Sequence, residues 1–262
     1  MTDQSTSQTG GAHLIQPGGA DVIQPGGADV IQTGDTNGIQ PRPSNRAFAV
    51  YVLTFFVVWS LRATVFISID EGIESAVWKS VYSNSIKFIV WVAPVFIILG
   101  VLRLKPFTYL KLTTRANKRG LLVIAIVTLL WLSLVVLGES IIQHKSIVEL
   151  VTARSSEWLS ILAGVILSPI WEEILFRGFF LNRLNASLGF WKSNVISALL
   201  FMLAHWPYWV SKLGFSAQVI KDSVNVFLLG CLFGWLMKKT NSLWPSIGAH
   251  IANNFLSGLI HA

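Results

Sequence analysis

The chain has 262 residues, of which 53% are hydrophobic and 13% are charged, and its mean hydropathy is +0.60. A soluble domain of ordinary composition carries about 25% charged residues, so these values exclude such a domain and indicate a protein that crosses a membrane several times. The single cysteine, Cys231, excludes an internal disulfide, and its apolar surroundings indicate helix packing rather than redox chemistry.

The first 46 residues differ in composition from the rest of the chain. A degenerate repeat rich in Gly, Pro and Gln runs through LIQPGGADVIQPGGADVIQTGDTNGIQP, with isoleucine every eight residues at Ile15, Ile23, Ile31 and Ile39. Such a segment buries too little apolar surface to offset the entropy lost on ordering it. Residues 1–46 are therefore predicted to form a disordered tail. The alternative is a repeat that binds a partner or packs as a small β-solenoid.

Residues 47–262 are predicted to form an all-α, polytopic transmembrane helical bundle. Seven apolar segments approach the length of about 20 residues that a helix needs to cross the hydrocarbon, and lipid offers no hydrogen-bond partner to an open strand edge. The predicted spans are residues 47–68, 86–102, 120–138, 158–180, 194–210, 219–237 and 243–260.

The basic residues of the connecting loops predict the orientation in the membrane. The densest basic cluster of the chain lies between residues 103 and 119 and consists of Arg103, Lys105, Lys111, Arg115, Lys118 and Arg119. Alternate loops then give twelve basic residues on this side and six on the other, the six being Lys79, Lys87, Lys145, Arg154, Lys212 and Lys221. The N-terminus is therefore predicted to be cytoplasmic. This bias explains the net charge of +7 without nucleic acid, for which no binding signature is present.

Ionisable and amide side chains inside apolar spans indicate function, because each costs about 2.5–3.5 kcal/mol near the bilayer centre unless it is paired or hydrated. Three predicted spans carry such residues in short motifs. The motif residues are Glu172, Glu173 and Arg177 in SPIWEEILFRGFF, His205 with the apolar Phe201 in FMLAHWP, and His250 and Asn254 in IGAHIANNF.

Helical geometry separates the roles of the two adjacent glutamates. Glu173 and Arg177 are four residues apart, so they lie on one helical face and are predicted to form an ion pair. Glu172 is turned by about 100° and is predicted to stay available. His250 and Asn254 are also four residues apart, so both can point at the same place.

The depth of the polar residues predicts that they meet. Counted from the predicted span ends, Glu172, His205 and His250 all fall in the cytoplasmic half of the bilayer. A shielded carboxylate is a competent general base near neutral pH, and a neighbouring imidazole can share in activating a water. A second imidazole and a carboxamide can stabilise an oxyanion. The set favours a hydrolase that adds water directly to a peptide carbonyl, and the lack of a GxSxG elbow disfavours covalent catalysis.

The three motifs resemble those of a known family. EEILFRG, FMLAH and HIANN resemble, in the same order, the EExxxR, FxxxH and HxxxN motifs of the CAAX-protease and bacteriocin-processing (CPBP, formerly Abi) intramembrane glutamic endopeptidases, over residues 158–258. The resemblance implies that Glu172 and His205 activate the nucleophilic water, while His250 and Asn254 hold the oxyanion. It gives supporting positions to the remaining motif residues, which are Glu173, Arg177 and Phe201.

The resemblance also implies a substrate class. The substrate would be a membrane-associated peptide or protein, met in the lipid bilayer. Prenylated CAAX proteins are mainly eukaryotic, whereas the repeat tail and the compact body favour a bacterial plasma membrane. A peptide, a lipoprotein or another membrane protein is therefore the expected substrate.

Two alternatives remain open at this point. Glu172, His205 and His250 also make up an open three-ligand set of the kind that binds catalytic zinc. No HExxH helix is present, and the mechanism without metal or other cofactor is favoured. The second alternative is a non-proteolytic membrane protein, either a bacteriocin-immunity factor or a proton-coupled transporter whose Glu and His residues relay protons. Transport predicts internal repeats or broken helices in corresponding halves, and the sequence shows neither.

Overall fold

The computed structural model describes residues 43–116, 118–143 and 158–260. Within these ranges every regular element is a helix and no strand occurs, so the predicted all-α class is confirmed for this part of the chain. Nearly all of the predicted tail, residues 1–46, lies outside the described residues. The division into a tail and a membrane domain therefore stays a prediction.

The described elements are long helices joined by short connections. Two of them contain a π-helical segment, in which each backbone N–H bonds to the carbonyl five residues earlier. In chain order the elements are α1 (Asn45–Thr64), α2 (Ile67–Glu71), α3 (Ala76–Lys87), π1 (Phe88–Val92), α4 (Ala93–Val101), α5 (Pro106–Tyr109), α6 (Lys118–Gln143), α7 (Trp158–Glu173), π2 (Ile174–Leu181), α8 (Asn182–Leu188), α9 (Phe190–Leu213), α10 (Ala217–Thr240) and α11 (Trp244–Ile260).

The described helices establish an integral membrane protein. Three of them are long and apolar enough to cross a membrane, namely Asn45–Thr64, Val77–Val101 and Ala217–Thr240. Each of the seven predicted spans overlaps a described helix or a continuous run of helices. The number of seven spans nevertheless stays a prediction.

The second span begins earlier than the sequence predicted. Hydropathy placed it at residues 86–102, whereas the helix runs from Val77 to Val101. The polar sequence of α3 has low hydropathy, so the first half of this span was not predicted. Polar side chains in α3 bond to the preceding turn of the helix, as Asn84 Nδ2 does to the Ser80 carbonyl at 2.9 Å. Lys87, counted above as a loop residue, therefore lies in the middle of a membrane helix.

Aromatic packing fixes π2 in the centre of the bundle. All eight residues of π2 are buried. The ring of Phe176 meets those of Trp91 at 5.5 Å, Phe180 at 5.4 Å and Phe201 at 5.2 Å between centroids, in edge-to-face geometry. Because π2 follows Glu173 directly, this packing also holds the end of α7 in the interior.

Two glycines let α9 and α10 approach closely. Gly230 and Gly234 of α10 are four residues apart, the spacing that brings membrane helices into close contact. A Cβ on Gly230 would lie 2.9 Å from the Cβ of Ala198 and 3.2 Å from Nη2 of Arg177. Asn194 Nδ2 donates a hydrogen bond to the Cys231 carbonyl at 2.9 Å across the same interface.

Connections that the loop count assigned to one side of the membrane meet at one end of the bundle. The backbone N–H of Leu243 donates to the Lys111 carbonyl at 3.1 Å, and Asn182 Nδ2 donates to the Tyr109 carbonyl at 3.0 Å. We call this the basic end, because the cluster at residues 103–119 lies there.

Replacing Gly230 by alanine is expected to lower the free energy of unfolding by about 1–3 kcal/mol, because the new methyl group meets the backbone and side chain of Ala198. Reversible unfolding in detergent micelles measures the change. Gly248→Ala is the matched control, since no atom lies within 4 Å of a Cβ added there. Equal losses in both variants would contradict the close approach of α9 and α10.

Candidate active site

The Glu172 carboxylate lies where three helices converge. The residue is 4% exposed and stands next to the end of α7. Its Oε1 accepts hydrogen bonds from Ser168 Oγ, one turn earlier, at 2.7 Å and from Lys87 Nζ of α3 at 2.5 Å. Its Oε2 is 3.5 Å from Nε2 of His250 on α11. The carboxylate is therefore directed into the bundle and not into lipid.

Lys87 is the residue that the sequence analysis missed. Its ammonium group pairs with Glu172, donates to Ser168 Oγ at 2.5 Å and lies 4.6 Å from the centre of the Trp91 ring. Glu172 therefore has a cationic partner of its own, which holds one of its two carboxylate oxygens. A signal was present, because an acid inside a membrane requires a cationic partner, and Lys87 immediately precedes a long apolar run.

Glu173 and Arg177 form the predicted ion pair. Arg177 Nη1 donates to Glu173 Oε1 at 2.9 Å, and the two side chains are 1% and 0% exposed, respectively. The guanidinium carbon of Arg177 lies 4.3 Å from the ring centre of Phe201 and 5.3 Å from that of Phe233. The aromatic faces complement a cation that is removed from water.

His250 connects the two glutamates. Its Nδ1 is 2.9 Å from Glu173 Oε1, while its Nε2 faces Glu172 Oε2. The imidazole is stacked on the Phe233 ring, with 4.8 Å between the centroids and an angle of 23° between the planes. Contacts on two edges and one face leave this ring a single orientation.

His205 is held by its own helix. Its Nδ1 is 2.9 Å from the Phe201 carbonyl, and since a carbonyl only accepts, Nδ1 carries the proton. In the neutral ring Nε2 is then the basic nitrogen. The Phe201 ring lies between the two imidazoles, 4.9 Å from that of His205 and 5.7 Å from that of His250. His205 is also close enough to Glu172 to interact with it electrostatically.

Asn254 lies one turn beyond His250 on α11 and is half-buried. Its Oδ1 accepts a hydrogen bond from Asn253 Nδ2 at 3.4 Å. Asn253 is the more buried of the two, at 8% exposure. The structure thus gathers Glu172, His205 and His250, whereas the role expected for Asn254 stays a prediction.

The zinc alternative and the mechanism without a cofactor both stay predictions. In the described part of the chain, no three His, Cys, Asp or Glu side chains are grouped so that they could share a metal ion. Oε1 of Glu172 is in contact with the Lys87 ammonium, which would repel a metal cation beside it.

A polar cavity of about 550 Å³ leads to the cluster from the end of the bundle opposite the basic end. Its inner wall includes Lys87 and Ser168, both of which contact Glu172. The C-terminal end of α1, helix α2 and the first turns of α3 surround its mouth. The loop charges predict that the basic end is cytoplasmic, and in that orientation the mouth of the cavity opens outside the cell. A cavity open to the cytosol would require the opposite orientation of the chain in the membrane.

Ion pairs stand at the mouth of the polar cavity. Arg62 of α1 pairs with Asp70 of α2, and Glu71 of α2 pairs with Lys212 at the end of α9. The hydrogen bond and charge of Lys212 lower the pKa of Glu71, and the same hydrogen bond raises the pKa of Lys212. Both groups are therefore charged at neutral pH, and the pair links α2 to α9 beside the entrance.

Comparison with known proteins identifies the segment that contains the cluster. Residues 154–256 match the family model described as Type II CAAX prenyl endopeptidase Rce1-like. The matched segment includes all seven motif residues and confirms the resemblance to the CAAX-protease family. No protein of curated function and no solved structure matches the chain significantly.

Replacing Arg177 by methionine is expected to lower the free energy of unfolding by about 3–5 kcal/mol, because Glu173 would stay buried without its cation. The double variant E173Q/R177M removes the buried charge and keeps an oxygen that can contact His250 Nδ1. It should therefore be more stable than the single variant in the same unfolding measurement. A double variant as unstable as R177M would show that the buried charge is not the cause of the loss.

Proposed function

We propose that this membrane protein, whose residues 154–256 carry an Rce1-like endopeptidase segment, hydrolyses a peptide bond of a membrane-associated protein or peptide. The main support is the Glu172 carboxylate, which is buried beside two imidazoles and bonded to Lys87 and Ser168, two residues that line the polar cavity. This arrangement brings a general base, hydrogen-bond donors and a route for water to one place.

The proposed reaction begins with proton transfer from water. Lys87 and Ser168 occupy Oε1 of Glu172, which leaves Oε2 as the oxygen that accepts the proton. Nε2 of His205 is the second acceptor, since its Nδ1 is bonded to the Phe201 carbonyl. The water oxygen attacks the carbonyl carbon of the scissile bond and produces a tetrahedral oxyanion.

His250 and Asn254 are assigned to the oxyanion. Nδ1 of His250 is engaged by Glu173, so the ring is oriented before the substrate binds, as electrostatic stabilisation of a transition state requires. The intermediate then collapses with cleavage of the C–N bond, and the proton held by Glu172 passes to the departing amine. Glu173 and Arg177 do not exchange protons in this scheme; they hold His250 in place.

Lys87 acts as a positioning residue in this scheme. Its ammonium and the Ser168 hydroxyl hold one carboxylate oxygen, so they set the direction of the other. Lys87 also lines the polar cavity and presents a cation near the path that a substrate would take. We propose that the reaction needs no metal, because the lysine already supplies the positive charge beside the base.

One observation favours a second candidate function. Lys87, Glu172, His250 and Glu173 form a continuous chain of contacting ionisable groups, which is also what a proton relay in a transporter requires. The two functions separate in purified protein without a membrane gradient, where cleavage of a peptide can be due only to the protease. An immunity factor without proteolytic activity would cleave nothing under the same conditions.

Replacing Glu172 by glutamine is expected to reduce peptide cleavage by at least about 100-fold, because the general base is lost. Membranes from cells that produce the wild type or the variant, compared by proteomics, would show the substrates that accumulate uncleaved. The purified proteins would then be assayed on those substrates. Glu74→Gln is the matched control, since Glu74 is exposed in the connection before α3.

Normal membrane insertion of Glu172→Gln together with unchanged cleavage would contradict the protease assignment. The same assay includes a zinc chelator, which should leave the wild-type rate unchanged. Loss of activity that zinc restores would contradict the metal-free mechanism and leave the assignment of a peptidase intact.

A further inference from the structure

A second polar cavity lies at the basic end of the bundle, away from the cluster around Glu172. Its volume is about 450 Å³. We call it the basic pocket; its polar lining residues are Lys111, Asn182, Asn185, Lys238 and Asn241, and its apolar wall is Leu181, Phe190 and Met237. The lining therefore holds two cations and three amides, and no carboxylate balances them.

Lys111 is the most unusual residue of the basic pocket. Its φ is +57°, a left-handed conformation that is uncommon for a residue other than glycine, and Asn241, which also lines the pocket, has φ +52°. Lys111 is half-buried, and burial lowers its pKa. No acceptor for its ammonium group is found among the described residues. Strained residues of this kind persist where the surrounding structure holds them in place.

Hydrogen bonds between two connections hold these walls together. Besides the bond from Leu243 to the Lys111 carbonyl, Trp244 Nε1 donates to the Leu112 carbonyl at 2.8 Å, and Ser242 Oγ donates to the Thr114 carbonyl at 2.5 Å. The pocket is thus formed before a ligand arrives. Little conformational entropy would be lost on binding.

The basic pocket also has the features of a site at the membrane surface. Lys238 Nζ lies 4.1 Å from the ring centre of Phe190 and 5.6 Å from that of Trp191, which is 66% exposed. Aromatic residues beside lysine are typical of the boundary between hydrocarbon and headgroups. Basic pockets between membrane helices on the cytoplasmic side bind anionic headgroups, and an apolar wall beside the charges suits the glycerol and first acyl carbons.

We propose that the basic pocket binds the phosphate group of an anionic glycerophospholipid, with Lys111 and Lys238 as the cationic ligands. Two ammonium groups attract the single negative charge of the phosphodiester, and the three asparagine amides can donate to its oxygens or to the headgroup. The bound lipid would connect the loop after α5 to the end of α10. This site is independent of the proposed peptidase activity.

The experiment compares the wild type in nanodiscs of phosphatidylglycerol and of phosphatidylcholine, and counts retained lipid by native mass spectrometry. Phosphatidylglycerol should be retained and should raise the melting temperature relative to phosphatidylcholine. The apparent affinity for phosphatidylglycerol should fall at least about tenfold in K111M/K238M, because charged hydrogen bonds are lost. The matched control K192M/K239M removes two exposed lysines that are close to the pocket in sequence but do not line it, and should stay within about twofold.

The remaining outcomes overturn the proposal. Equal retention of both lipids by the wild type, which does not depend on the folding of any variant, would exclude an anionic lipid site. Equal losses in the two double variants would place the effect in the overall charge and not in the pocket. If millimolar inorganic phosphate stabilises the detergent-solubilised protein and phosphatidylglycerol adds nothing, the pocket is a site for a free anion and the lipid assignment fails.

Discussion

A carboxylate in the interior of a membrane bundle persists only where cations or hydrogen-bond donors meet it. At Glu172 these partners come from three different helices: Lys87 from α3, Ser168 from α7 itself and His250 from α11. The position of each helix is therefore tied to one charge. Glu173, the next residue, also needs partners for its buried carboxylate and contacts Arg177 and His250. The two acids share one imidazole, so the cluster forms as a unit.

The packing around the cluster shields these buried charges. The aromatic rings of π1, π2 and α9 enclose the ion pairs and exclude other solvation, while Gly230 admits the Arg177 guanidinium between α9 and α10. The polar cavity interrupts this enclosure beside Lys87 and Ser168.

Much of this arrangement could be predicted from the sequence. The spacing of Glu173 and Arg177 gave the ion pair, because a contact across one helical turn depends on local geometry alone. The convergence of Glu172, His205 and His250 was predicted from their depth, which a regular rise per residue determines. The helical class followed from hydropathy. The predicted span around Lys87 started too late in the sequence, because α3 is rich in serine and asparagine.

The contacts that could not be predicted are tertiary. Which cation reaches Glu172 depends on how α3 packs on α7, and no local pattern contains that information. The π-helical conformation of the segment after Glu173 was likewise not predicted. The direction of the polar cavity was also unforeseen. The polar cavity opens at the end of the bundle opposite the basic end. The side of the membrane on which a substrate enters therefore depends on the orientation that the loop charges give to the basic end.

The contact between Lys87 and Glu172 is the most direct test of this account. A double-mutant cycle with Lys87→Met and Glu172→Gln, read out as the free energy of unfolding in detergent, measures the coupling between the two side chains. The account predicts a coupling of about 1–3 kcal/mol, as found for residues in one buried network. Additive losses within about 0.5 kcal/mol would show that the two groups do not meet, and would contradict the assembly of the cluster from three helices.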